Sequence, residues 1–360
     1  MAEDRSAPPP DAPGGLRILI TGAAGYVGSH VLAEVLAAGH AAHALDNLVG
    51  GPAQALERVR AIAGRDFGFS RIDIRDRPAL ARLVADFGPE AVIHCAALKS
   101  PFDSLARPAE YADVNVEGTR ALLAALAPSR CRRIVFSSSA AVYGPPDRLP
   151  IDESHALRPT TPYGETKAAG EALFAAAARD GQGLSVAILR YFNPAGAHPS
   201  GRIGEQPSDP PSNLVPAIAE VALGRRPVLE IHGDDYPTRD GTGVRDYLHV
   251  MDLARAHIAA LGWTGRSAGA EVFNLGTGAG VSVLEAVAAF ERASGGAIPL
   301  AIRPRRPGDV AACYADPAKA GRVLGWRAGQ GLEAICASAW AWARANPEGF
   351  RRHSAEIGGP

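Results

Sequence analysis

The sequence predicts an α/β fold: a doubly wound parallel sheet with a smaller C-terminal α/β domain. Three observations carry it. Short apolar runs alternate with helical patterns from Arg17 to Phe192. Three glycines separate the first run from the first helix. After Asn193 the alternation gives way to Pro- and Gly-rich loops with shorter elements.

Taken in order, "RILIT" is a buried-strand run, and "YVGSHVLAEVLAAG" follows it. Val27, Val31, Leu32, Val35 and Leu36 fall on one helical face, and the pattern stops at Gly39. "HAAHALD", "FGFSRIDI", "EAVIHCA", "RRIVFSSS" and "LSVAILRYF" read as further strands, with helices between most of them. Right-handed crossovers then place helices on both faces of one sheet. The second domain is expected over 193–355, with "SNLVPAIAEVALG", "VLEAVAAFERASG" and "GLEAICASAWAWARA" as helices. The first covers 16–192, and part of 232–275 is expected to return to it. Residues 1–15, rich in Pro, Ala and Gly and without an apolar core segment, read as a disordered tail rather than a signal peptide.

Composition excludes several classes. The 360 residues carry a net charge of -1, which offers nucleic acid or an anionic membrane surface no basic footprint. No apolar run approaches the roughly 20 residues that span a bilayer. Cys95, Cys131, Cys313 and Cys336 are scattered with no CxxC pair. Neither a metal site nor a disulfide framework is expected, and reduced thiols suit a cytoplasmic protein.

"TGAAGYVGS" places Gly22, Gly25 and Gly28 between the first strand and the first helix, so backbone N–H groups can approach a pyrophosphate at the helix N-terminus. This is the Rossmann-type arrangement for a dinucleotide. Asp46 ends the second strand, where a carboxylate can take both adenosine ribose hydroxyls. "NLVGGPAQALE" then offers no Arg for a 2′-phosphate, which favours NAD over NADP. Asp73, ending the third strand, is placed near adenine.

Only three of the 37 basic residues are Lys: Lys99, Lys167 and Lys319. Lys167 stands four residues after Tyr163 in "TPYGETKAAGEALF", on one helix face with it. A phenol near pKa 10 is half-ionised at pH 7 only if the anion gains roughly 4 kcal/mol. A compact ammonium beside it, with a cationic nicotinamide, is expected to supply much of that. "FSSSAAVYG" ends a strand at Ser137, Ser138 and Ser139. Ser139 either relays a proton between Tyr163 and a substrate hydroxyl or simply begins a turn.

"TGAAGYVGSH", "LDNL", "HCAALK", "VNVEGT", "FSSSAAVYG", "PYGETK", "RYFNPAGAH", "DYPTRDGTGVRDYLHV", "FNLGTG" and "DPAKAGRVLGW" together resemble the UDP-galactose 4-epimerases, a family of extended short-chain dehydrogenases/reductases. The resemblance covers nearly the whole chain. It implies Tyr163 as the base, Lys167 as its electrostatic partner and Ser139 as the relay. Tyr26, Val27, Asn47 and Ile74 join the cofactor contacts, with Lys99 near the phosphates and Asn115 behind it. Asn193, Arg245 and Arg306 would contact the UDP pyrophosphate, with Asp309 on the uridine ribose. Asn213 and Leu214 would touch the nucleotide. The implied reaction is NAD-dependent inversion of C4 in a UDP-hexose through a 4-keto intermediate, in a homodimer.

Alternatives of the same superfamily are a nucleotide-sugar 4,6-dehydratase and a UDP-glucuronate epimerase or decarboxylase. Dehydration also needs acids that move protons at C5 and C6, where this chain has Ala140 and Ala141. A non-catalytic NAD-binding regulator is the alternative of another class. Three departures from the family pattern stand out. Cys313 lies where some members have Tyr, leaving room for a 2-N-acetyl group. "KSPFDS" follows Lys99 in place of a small-residue run, and His232 stands where an aromatic ring often faces uracil.

Overall fold

The computed structural model describes residues 15–180, 183–206, 211, 213–306 and 308–350. The expected tail, apart from Gly15, and residues 351–355 of the expected second domain lie outside the described residues.

The N-terminal part runs β1 (Arg17–Thr21), α1 (Tyr26–Ala37), β2 (Ala41–Asp46), α2 (Ala53–Ala63), β3 (Gly68–Arg71), α3 (Arg77–Phe87) and β4 (Ala91–His94). It continues through α4 (Pro101–Ala106), α5 (Pro108–Tyr111), a π-helical turn (Ala112–Glu117), α6 (Gly118–Leu126), β5 (Arg133–Ser137), α7 (Pro162–Arg179) and β6 (Ser185–Tyr191). Then follow β7 (Asn193–Ala195), α8 (Leu214–Ala222), β8 (Leu229–His232), β9 (Val244–Arg245), β10 (Tyr247–His249), α9 (Val250–Thr264) and β11 (Gly269–Leu275). The described residues end with β12 (Val281–Ser282), α10 (Val283–Ser294), β13 (Leu300–Arg303), β14 (Ala312–Cys313), α11 (Ala318–Leu324) and α12 (Leu332–Ala345).

Seven strands form one sheet in the order β11-β6-β5-β4-β1-β2-β3, every pair parallel. The strands alternate their side chains between two cores. Ile18 and Ile20 face α1, α2 and α9, while Leu19 faces α3, α6 and α7. Because both faces are covered, the strands read as continuous apolar runs rather than as alternation. The order reverses between β1 and β4. Beyond the carboxyl ends of these strands lies the crevice where such sheets take ligands.

Among the described residues three smaller sheets accompany it: β10-β7, β12-β9-β14 and β13-β8. They gather around a separate core of Val215, Ile218, Phe290 and Ile335, supplied by α8, α10 and α12. β11 leaves this part to pair with β6 along seven positions, Gly269 with Ser185 through Leu275 with Tyr191. No described helix is long and apolar enough to cross a membrane.

Candidate active site

The glycine loop is packed against its own neighbours. Gly22 has φ +71°, and a Cβ there would lie 2.6 Å from the Ala96 nitrogen. Its N–H donates to the Leu45 carbonyl at 2.8 Å, which pins the loop to β2. A Cβ at Gly28 would stand 2.0 Å from the Gly22 carbonyl oxygen. Gly25 is the N-cap of α1 and supplies no side-chain cap, so the first N–H groups, including those of Tyr26 and Val27, are left for a ligand. The Tyr26 hydroxyl donates to the Gly196 carbonyl at 2.7 Å, tying α1 to the C-terminal part.

Asp46 is 6% exposed at the end of β2. Its Oδ2 accepts the Ala24 N–H at 2.9 Å and its Oδ1 the Leu48 N–H at 2.7 Å. Burial pushes the carboxyl up, and the two N–H bonds pull it back. Each oxygen keeps a lone pair for a ribose hydroxyl. The cradle that a Cβ would fill and this carboxylate beside it fit a dinucleotide.

Asp73 is otherwise engaged. Arg75 grips both its oxygens at 2.8 Å, and Asn47 donates to Oδ2 at 3.0 Å. The guanidinium holds this carboxyl well below the usual range. Ile74 beside it is buried in the core, where its Cγ2 would lie 2.5 Å from a Cβ at Gly118. The side chains of both residues are therefore committed to the protein.

Asn115 sits in the π-helical turn, a kind of distortion common at functional sites. Its Oδ1 accepts the Leu98 N–H at 2.8 Å, and its Nδ2 donates to the Leu98 carbonyl at 3.1 Å and to Thr166 Oγ1 at 3.0 Å. Thr166 in turn donates to the Tyr163 carbonyl at 2.8 Å. One buried amide thus joins the loop after β4 to the first turn of α7.

That turn begins at Thr161, whose hydroxyl accepts the Gly164 N–H at 3.2 Å, followed by Pro162. A Cβ at Gly164 would meet the Ala141 carbonyl at 2.6 Å, so α7 approaches the loop after β5 backbone to backbone. Tyr163 is consequently 6% exposed and packed edge-on against Tyr111 at 6.5 Å. Burial pushes its phenol up to about 12; Ser139 opposes this, and Tyr111 adds to it.

Lys167 is also buried, and its Nζ donates to the Ser137 carbonyl at 2.8 Å. It stands 5.9 Å from the Tyr163 ring centroid. Burial lowers its ammonium to about 8. In the protein itself, then, the ammonium is bonded to the strand end, and burial outweighs what lowers the phenol.

Sequence reasoning missed what lies beneath. Ser137 Oγ is 2.8 Å from His257 Nε2 and 3.2 Å from Cys95 Sγ. Glu205 was missed as well. One of its oxygens takes Lys99 Nζ at 3.0 Å and Asn213 Nδ2 at 2.7 Å, joining a residue placed near the phosphates to one placed at the nucleotide.

In the C-terminal part, strand pairing sets Cys313 beside Arg245. Arg245 Nη1 donates to the Val244 and Val310 carbonyls, each at 2.9 Å, and Nη2 lies 3.5 Å from Asp309 Oδ1. Cys313 packs against the cluster of Val142 and Tyr143, just beyond Ser139. Arg305 is held by Asp235 at 2.7 Å and lies over the Tyr236 ring at 4.1 Å. The adjacent Arg306 is exposed and makes no side-chain hydrogen bond among the described residues. His232 Nε2 and the Tyr236 hydroxyl are buried without a partner among the described residues, so this part of the site retains unmatched polar atoms. Asn193 is exposed on β7, and Leu214 is half-buried at the start of α8. Among the described residues, no cluster of three or more His, Cys, Asp or Glu is placed to hold a metal.

The NAD dependent epimerase/dehydratase family model matches residues 18–276. The UDP-glucose 4-epimerase of Bacillus subtilis (strain 168) is 50% identical over 336 residues, covering 93% of this chain and 99% of its own. The UDP-glucose-4-epimerase of Stenotrophomonas maltophila, crystallised with NAD and formylated UDP-arabinopyranose, superposes with a TM-score of 0.90 at 47% identity. That match covers 92% of this chain and 99% of the other. The Bifidobacterium longum UDP-glucose 4-epimerase, solved with NAD+ and UDP, has a TM-score of 0.89 at 44% identity over 93% of this chain and 100% of its own. With its glycine cradle, its Tyr163–Lys167 helix and these full-length relatives, the chain belongs to the NAD dependent epimerase/dehydratase family and, within it, to the UDP-glucose 4-epimerases.

Proposed function

We propose that this chain interconverts UDP-galactose and UDP-glucose by inverting C4 of the hexose with NAD as cofactor. The observation that carries the chemistry is a buried phenol, Tyr163, one helical turn from the buried Lys167, with Ser139 helping to lower its pKa. NAD, held in the glycine cradle, would supply reversible hydride transfer at C4 and a positive charge. Tyr163 removes the O4 proton and later gives it back, with Ser139 as relay. Lys167, fixed on the Ser137 carbonyl, keeps a positive charge beneath the phenol. Arg245, Arg306, Asp309, Asn193, Asn213 and Leu214 hold the UDP while the hexose turns over. Gly22, Gly25, Tyr26, Val27, Gly28, Asp46, Lys99 and Asn115 serve the cofactor, and Asn47, Asp73 and Ile74 serve it through their backbone. Conversion of UDP-galactose to UDP-glucose without added NAD tests this; no turnover on either sugar would leave a binding protein. The turn after Ser139 carries Ala140 and Ala141 and no acid, which disfavours dehydration.

The small Cys313 supports a wider sugar pocket, so UDP-N-acetylhexosamines are proposed as second substrates. Cys313→Tyr is expected to lower turnover of UDP-GlcNAc about tenfold or more, while UDP-galactose falls less than about threefold. Equal losses on both sugars would remove Cys313 from specificity.

We also propose a cytoplasmic homodimer joined through α6 and α7, whose outer faces expose Ala124, Ala172 and Ala176. Sedimentation at the mass of a single chain would refute the dimer, and recovery in a membrane or secreted fraction would refute the location.

A further inference from the structure

We propose that Glu171 is a positioning residue for the epimerisation: clamped by Arg190, it ties the Ser137–Ser139 strand end to α7 and is the counter-charge of the Lys167 ammonium. The inference rests on the role given to Lys167 above.

Glu171 stands four residues beyond Lys167 and eight beyond Tyr163, on the same helix face. Its side chain and that of Arg190 are each 6% exposed. Arg190 takes it in a two-point fork, Nε to Oε1 at 2.9 Å and Nη2 to Oε2 at 2.6 Å. Ser138 Oγ donates to Oε1 at 2.5 Å. The third guanidinium nitrogen reaches the Tyr143 hydroxyl at 3.0 Å, which donates to Asn274 Oδ1 at 2.6 Å. Ser138 lies between Ser137, whose carbonyl receives Lys167, and Ser139, the proposed relay. Holding it fixes both.

Packed apolar side chains would join these elements at least as firmly as a desolvated ion pair does. They would not face Lys167 with a negative charge. Apart from Arg190, whose charge is paired with Glu171, the other titratable groups around Lys167 are neutral near pH 7. Burial drives His94 down to about 3, Cys95 up to about 11 and Tyr163 up to about 12, and raises Tyr191 well above the ordinary phenol. Cys95 and then Glu171 oppose the desolvation of the ammonium, and with the thiol held neutral Glu171 is the carboxylate four residues along the same helix face, itself shared with the Arg190 guanidinium.

The chain's three lysines make this measurable. Carbon-13 at lysine Cε yields three resonances, assigned with Lys99→Arg and Lys319→Arg. In the full-length holoenzyme, Glu171→Gln is expected to lower the Lys167 titration midpoint by about one pH unit, because removal of a nearby opposite charge disfavours the ammonium. Glu171→Asp, which keeps the charge, is expected to leave it within about 0.3. With UDP-galactose, Glu171→Gln is expected to lower kcat about tenfold or more with KM within about twofold, and to move the alkaline limb of kcat down with the midpoint. Should the single variant fail to fold with Arg190 unpaired, Glu171→Gln/Arg190→Gln, which removes one charge of each sign, is expected to lower kcat about tenfold or more with KM within about twofold. A folded Glu171→Gln with the wild-type midpoint and alkaline limb, or a folded double variant with the wild-type kcat, overturns the proposal. A wild type inactive on UDP-galactose would instead refute the proposed function, while the lysine titration would still report on Glu171.

Discussion

Tyr163→Phe is expected to lower kcat for UDP-galactose by ~10²–10⁴-fold, the usual contribution of a positioned acid–base group. The substitution keeps the ring, its burial and its edge-on contact with Tyr111, and removes only the hydroxyl. Loss of one hydroxyl hydrogen bond changes folding stability by ~1 kcal/mol, whereas the rate loss corresponds to ~3–5 kcal/mol. The effect therefore belongs to the reaction and not to the fold. KM should move little, since Arg245 and Asp309 sit apart from the phenol on β9 and the loop before β14. Steady-state kinetics with thermal unfolding and NAD content measured on the same sample distinguish the two, and a kcat within tenfold of wild type would remove Tyr163 from the chemistry.

The same residue shows where spacing stops being informative. Tyr163 and Lys167 were legible because helical periodicity alone puts residues four apart on one face. What that spacing could not convey is the partner of the ammonium. Lys167 Nζ bonds to the Ser137 carbonyl, 30 positions away, and burial leaves the phenol at about 12. Glycine spacing and the apolar runs made the Rossmann sheet readable for a similar reason, since strand, turn and helix are each local. Asp73 shows the converse. Its place at the end of the third strand suggested adenine, but Arg75, two residues on, takes both carboxylate oxygens. Of the neighbouring arginines, Arg305 is bound to Asp235 while Arg306 has no side-chain partner among the described residues, which favours Arg306 for the ligand. Glu205 and Arg190 were invisible because their contacts join segments that only the tertiary fold brings together.

Gly28→Ala is expected to abolish NAD retention and to destabilise the fold by ~2–4 kcal/mol through overpacking against fixed backbone. Alanine is otherwise the better helix former, by ~1 kcal/mol, so propensity alone predicts the opposite sign. Sterics decide. The new Cβ would stand 2.0 Å from the Gly22 oxygen, 2.8 Å from its carbonyl carbon and 3.0 Å from the Ala23 Cα. None of these is a flexible side-chain tip. Gly22 cannot yield easily, because its N–H is bonded to Leu45 at 2.8 Å and its own φ is +71°. Relief must come from moving α1 outward. That shift turns the free N–H groups of its first turn away from the pyrophosphate and strains the bond from Tyr26 to Gly196, 2.7 Å long. Gly39, where a Cβ would meet nothing within 4 Å but φ is +87°, is the contrasting site. Alanine there carries local backbone strain and no collision with the cradle, so Gly39→Ala should cost about 1–2 kcal/mol and leave NAD bound. Nucleotide content after gel filtration, with denaturant unfolding of both variants, separates the two cases. If Gly28→Ala kept its NAD at the wild-type level, the close packing of this cradle would not be what positions the cofactor.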